Sequence, residues 1–130
     1  PDLWDGELDT LGRIRRAGCV QGLNAIDLNY PQHIKGYTPA QIRSALDEAG
    51  LSICAINLRY DGLFANGGFT NPDPRLRQKA IDVTRQASDY ALEMGTQKII
   101  IWPSEDGYDY PFQVDYQTAW DNTISALRDL

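Results

Sequence analysis

The chain has 130 residues, 42% of them hydrophobic, with 12 basic and 18 acidic side chains and a net charge of −6. That length allows one domain at most and falls below the roughly 250 residues of a complete eight-stranded α/β barrel. The apolar content excludes a disordered chain. The acidic balance, with no basic run longer than Arg15-Arg16, argues against nucleic acid as the main partner, because phosphate binding needs a basic stripe.

Helix and strand signals then alternate along the chain. Leu8, Leu11 and Ile14 predict a first helix that ends near Gly18. The apolar run from Ala25 to Asn29 predicts a first strand. A helix follows from Pro39 to Ala49, with Thr38 as its cap and Gly50 as its stop. Ile42, Ala45, Leu46 and Ala49 form its buried face. Ile53 to Leu58 predicts a second strand. Cys54 lies in this apolar run and is expected to be a buried free thiol; with Cys19 as the other cysteine, there are too few for a disulfide framework. The clearest helix runs from about Pro74 to Met94, where Leu76, Ala80, Val83, Ala87, Ala91 and Met94 recur at spacings of three and four. Asp73 can cap it, Pro74 suits its first position and Gly95 its stop. Lys98 to Trp102 predicts a third strand. A last helix, starting near Asp115, is expected to bury Tyr116, Trp120, Ile124 and Leu127.

Strands alternating with amphipathic helices imply parallel pairing through right-handed crossovers. Continuous apolar strands fit a sheet covered on both faces. The links from helix to strand are short. Those from strand to helix are long: Tyr30 to Thr38, Arg59 to Asp73, and Pro103 to about Asp115. Ligands of α/β proteins bind where such loops leave the carboxyl ends of the strands, so the active face is expected there. Three strands alone leave two open sheet edges, which points to a piece of a larger sheet; a self-sufficient small α/β domain is the alternative. No apolar run of ~18 residues and no signal peptide is present, which predicts no membrane partner and a cytoplasmic setting. Residue 1 is Pro and the only methionine is Met94, so a natural N-terminus, with any targeting segment, can precede this stretch.

The strand-to-helix loops carry the candidate chemistry. No glycine signature for phosphate follows any strand, and Gly67-Gly68 reads as a turn. His33, the only histidine, stands just beyond the first strand, where it can be a sugar ligand or general base, or a plain surface residue. Alone it makes no metal site. Glu105, Asp106 and Asp109 offer oxygen for Mg²⁺ or Mn²⁺, although a solvated acidic loop is the reading favoured. Trp102, Phe64, Tyr60, Tyr108, Tyr110 and Phe112 gather aromatic surface at the strand ends, which can wall a sugar's C–H face or simply pack. Asn29 and Asn57, near strand ends, can bond a hydroxyl or cap a loop. Asp27, within a strand, needs a partner if it is buried.

The segment Asn57-Leu-Arg-Tyr-Asp-Gly-Leu-Phe-Ala-Asn-Gly-Gly-Phe-Thr70, continued by Asn71-Pro-Asp-Pro-Arg-Leu-Arg77, resembles the loop after the third strand of xylose isomerases. Trp102 followed by Glu105-Asp106-Gly107-Tyr108 resembles that family's tryptophan and its charged turn. Ile26-Asp-Leu-Asn-Tyr-Pro31 resembles the wider xylose-isomerase-like group of sugar isomerases and epimerases. The resemblance implies an α/β fold, a partial TIM (β/α)8 barrel with about three parallel strands alternating with helices. Residues 1–130 would be the N-terminal part of one such domain.

By the same resemblance the intact protein is a homo-oligomeric aldose–ketose isomerase acting on a small-molecule sugar with a divalent metal (Mg²⁺, Mn²⁺ or Co²⁺). Phe64 and Trp102 correspond to the aromatic residues that wall the sugar; Asn29, Tyr60 and His33 are further candidate substrate contacts by their place near the strand ends. The metal ligands of the family stand on later strands, so none is expected in these residues, and the stretch alone is expected to be inactive. Tyr60 replaces a threonine of the family and Glu105 an arginine, and the family's His-Asp pair after the second strand has no match near Asn29 and Tyr30. These departures favour a substrate other than xylose. The alternatives are an epimerase, dehydratase or metal-dependent endonuclease on the same barrel, or a non-catalytic sugar-binding module.

Overall fold

A computed structural model describes residues 8–130; residues 1–7 of the domain expected over the whole chain lie outside the described part. Strands β1 (Ala25–Tyr30), β2 (Ser52–Arg59) and β3 (Ile99–Trp102) pair in parallel in the order β1-β2-β3. Helices α1 (Thr10–Gly18), α2 (Pro39–Ala49), α3 (Pro74–Glu93) and α4 (Tyr116–Arg128) separate and flank them. Short 3₁₀ turns cover Gly62–Phe64 and Ser104–Asp106, in the loops that leave β2 and β3.

The helix starts follow from side chains that accept the free N–H groups of a first turn. Asp9 accepts from Gly12, Asp73 from Arg75, and Asp115 from Gln117 and Thr118. Thr38 and Gln41 form a reciprocal capping box on α2, which Gly50 ends in the left-handed conformation at φ 65°. The Tyr30–Pro31 peptide at the end of β1 is cis.

Apolar side chains gather on one side of the sheet, under the helices. Leu28 and Ile56 pack with Ile14, Ile42, Leu46, Tyr90 and Met94. Leu58 packs with Tyr60, Phe64, Phe69, Ala80 and Ile81. Successive strand residues point to opposite faces, so Asp27, Asn29, Asn57, Arg59, Ile100 and Trp102 fall on the other face. Register aligns Asn29 with Asn57, Asn57 with Ile100, and Arg59 with Trp102. Ile100 and Trp102 are exposed on this face. Asp27 is exposed as well, so it needs no buried partner.

Two sequence expectations need correction. Cys54 is exposed, not buried. The β1–β2 register shifts between Ile26 and Asp27: Ile26 aligns with Ile53, Asp27 with Ala55, and Cys54 is left without a partner across the ladder. A bulge of this kind changes the phase of the strand, so a place in an apolar run no longer secures burial. The stripe of α4 is also largely uncovered. Tyr116, Trp120 and Leu127 are 52%, 64% and 49% exposed, and Ala126 is the helix's buried residue. These side chains border a cavity of about 520 Å³ with Phe69, Thr70 and Ile101, and no described element fills it.

Candidate functional site

A second cavity, of about 570 Å³, opens at the carboxyl ends of all three strands. Asn29, Gln32 and His33 reach it from the end of β1, and Arg59 and Tyr60 from the end of β2. Trp102, Ser104 and Glu105 reach it from the end of β3, and Arg13 from α1. Helix α1 runs against the strands, which puts its first turns beside the strand ends; Tyr37 Oη donates to Asp9 Oδ2 there at 3.1 Å.

His33 is tied twice to Asn29. The backbone N–H of Asn29 donates to His33 Nδ1 at 3.1 Å, and the Asn29 side-chain amide meets Nε2 at 3.4 Å. A backbone N–H is always a donor, so Nδ1 must be unprotonated and the neutral ring carries its proton on Nε2. The backbone also closes this turn, His33 N–H donating to the Asn29 carbonyl at 2.9 Å. Burial holds the His33 pKa below its ordinary 6.5, and the positive charges of Arg13 and Arg59 push the same way.

Trp102 is 53% exposed, and the Arg59 guanidinium lies over its ring, 5.3 Å from the centroid. Tyr60 lines the cavity but belongs to the core beneath it. It is 6% exposed, and its hydroxyl donates to Thr84 Oγ1 at 3.0 Å, while Thr84 donates in turn to the Ala80 carbonyl. Burial raises its pKa to about 12. Asn57 sits beside Asn29 in register, and its Oδ1 is buried without a hydrogen-bond partner.

The structure therefore brings Asn29, His33, Tyr60 and Trp102 to one cavity, and Phe64 is absent from its lining. Phe64 is 2% exposed and packs in the helix-side core, its ring 4.9 Å from that of Tyr60. Tyr110 and Phe112 are exposed in the loop after β3, away from this cavity's lining. The acidic group also divides. Asp106 Oδ1 accepts from Gly68 N–H, Thr70 N–H and Thr70 Oγ1 at 2.9, 2.8 and 2.6 Å, which ties the β3 loop to the β2 loop. Glu105 lines the cavity and accepts from Ser104 Oγ. Among the described residues no three of His, Cys, Asp and Glu come close enough to hold a metal ion. His33 and Glu105 are the only such residues in the cavity lining, too few for the six-oxygen set that Mg²⁺ or Mn²⁺ prefers.

Sequence reasoning missed Arg13, Gln32, Arg59 and Ser104. Arg59 carried a signal, because alternation from Asn57 places it on the same face. Arg13 carried none, since it comes from a helix preceding the first strand.

Comparison with known proteins gives a consistent picture. The family model described as xylose isomerase-like TIM barrel matches residues 17–130. Xylose isomerase of Thermus thermophilus is 32% identical over 90 residues, covering 68% of this chain and 23% of that protein. Xylose isomerase of Thermus caldophilus is 29% identical over 110 residues, covering 77% and 28%. The chain thus spans about a quarter of the length of these curated relatives. The structure of D-psicose 3-epimerase with D-tagatose from Clostridium cellulolyticum H10 superposes with a TM-score of 0.70 at 15% identity, over 95% of this chain and 42% of that one. At that identity the likeness shows a shared fold.

Proposed function

This chain belongs to the xylose isomerase-like TIM barrel family, and from that premise we propose that the protein carrying it interconverts an aldose and a ketose with a divalent metal, Mg²⁺, Mn²⁺ or Co²⁺. The observation that supports this most directly is the convergence of Asn29, His33 and Trp102 in one cavity at the carboxyl ends of parallel strands. A barrel places its chemistry on that face. The described residues do not form a metal centre, and the family resemblance assigns the ligands to later strands of the barrel.

The residues present bind and orient the sugar. With Nδ1 already accepting a backbone N–H, neutral His33 has no free basic nitrogen, and its Nε2–H can pass from the Asn29 amide oxygen to a sugar oxygen. That favours a binding role over a general base. Asn29 fixes the ring's orientation, and Asn57 Oδ1 gives a buried acceptor on the same face. Trp102 supplies apolar surface for the sugar's C–H groups.

The test is turnover by the full-length protein with a panel of aldoses and ketoses, with metal added and with metal removed by chelation. Metal-dependent aldose–ketose interconversion is the expected result. Absence of turnover for every sugar in the metal-loaded protein overturns the proposal, and inversion at one carbon without carbonyl migration would replace it with epimerisation.

A further inference from the structure

The family reading leaves the cationic lining of the cavity unexplained. Arg13 and Arg59 both line it, on a chain whose net charge is −6. Among the described residues neither guanidinium has a carboxylate within ion-pair distance, and none of their N–H donors meets a protein acceptor. Glu105 is the only carboxylate in the lining, and its Oε2 accepts from Ser104 of its own loop. Among the described residues the cavity's fixed charge is thus two guanidiniums against one carboxylate, and burial, with the field of those guanidiniums, lowers the pKa of His33 beside them.

Arg59 is also held in place. Its guanidinium lies over the Trp102 indole, and its carbonyl accepts from Gln32 Nε2 at 3.2 Å. A cation–π contact of this kind leaves guanidinium N–H groups for a ligand. It also covers part of the tryptophan surface that a neutral sugar would use. An arginine fork matches the paired oxygens of a carboxylate or phosphate, and such charge-assisted bonds are the stronger class.

Resting on the sugar-isomerase reading, we propose that this site is specific for an anionic sugar, one bearing a carboxylate or a phosphate whose oxygens are bound by Arg59 and Arg13. His33 Nε2–H and Asn29 then serve the hydroxyl end of the same molecule. The anion, more than the stereochemistry of the hydroxyls, sets the preference over an unmodified aldose.

Calorimetric binding to the full-length protein tests this with D-glucose, D-glucuronate and D-glucose 6-phosphate at low salt. At least one anionic sugar should bind about tenfold or more tightly than glucose, and added salt should erode the difference. The carboxylate and phosphate arms tell the two sources of charge apart. Arg59→Gln should cut the ratio of anionic to neutral binding by about tenfold, and Arg59→Lys should restore only part of it, because a point charge lacks the stacked fork. Matched unfolding temperatures confirm that each variant folds. Should Arg59→Gln fail to fold, the wild-type ratio and Arg13→Gln carry the test. Equal or weaker binding of both anions overturns the inference, as does a ratio unmoved by both substitutions. Turnover of neutral sugars without anion preference would sink this inference alone, whereas absence of any sugar turnover would sink the isomerase reading.

Discussion

His33 and Asp106 hold the site's loops in opposite ways. His33 accepts a backbone N–H at Nδ1, so a second proton on the ring would set two donors face to face. Its folded pKa lies below 6.5, while the unfolded chain titrates at the ordinary value. As pH falls below 6.5, the unfolded chain gains a proton that the folded one refuses. The stabilisation is therefore complete above pH 6.5 and lost as pH falls through the folded pKa. As His33 is the only histidine, an NMR titration of its ring reads the value without ambiguity. A midpoint at or above 6.5 would remove this account, and His33→Gln should flatten the pH dependence of the denaturant midpoint in that window. Asp106 works as a tie, one oxygen taking three donors across 36 to 38 residues of chain. Asp106→Ala leaves those donors without their acceptor and should cost about 2 kcal/mol in denaturant unfolding. Asp106→Asn keeps an acceptor oxygen and should recover most of it. An alanine variant as stable as wild type would show the tie to be idle. Neither role was legible in the sequence, where Glu105, Asp106 and Asp109 look alike and the partner loop lies far along the chain.

At the scale of the elements, short-range signals carried the most information. Thr38, Asp73 with Pro74, and Gly50 mark helix ends through bonds that close within a few residues, and all sit where sequence placed them, although the reciprocal partner Gln41 was not foreseen. Burial was harder to read, because it depends on what lies opposite. Cys54 differs because one bulge changed the phase of β2, and the α4 stripe differs because periodicity defines a face but not its cover. The seam between α1 and α2 is another feature that sequence concealed. Gly18 looked like a helix stop, yet a Cβ there would lie 2.6 Å from the Ala49 carbonyl oxygen and 2.9 Å from Ala49 Cβ. Alanine in place of a helical glycine gains about 1 kcal/mol of propensity. Forcing a methyl against backbone costs about 1–3 kcal/mol, so the clash should prevail. Gly18→Ala is expected to destabilise by about 1 kcal/mol, whereas Gly62→Ala, with open space around it, should stay within about 0.5 kcal/mol of wild type. Chemical denaturation of the two variants decides this, and equal stability would mean that α1 can shift freely from α2.

Taken as a whole, the described residues have one covered side and one open side. Helices cover one face of the sheet, while the other leaves Ile100 and Trp102 open. Among the described residues β1 and β3 are both edges, each with a row of unpaired backbone groups. Helix α4 adds Tyr116, Trp120 and Leu127 to the exposed apolar surface. In a complete barrel such surfaces are covered by further strands and helices. The net charge of −6 opposes association, but it acts over a Debye length of about 8 Å at physiological salt and cannot mask contiguous apolar surface at contact. The stretch expressed alone is therefore expected to self-associate at micromolar concentration, to bind a hydrophobic dye, and to show no sugar turnover. Light scattering coupled to size exclusion measures the first. A monomer with one sharp thermal transition would mean that the helix side alone stabilises the sheet, and that the open face tolerates water better than its composition implies.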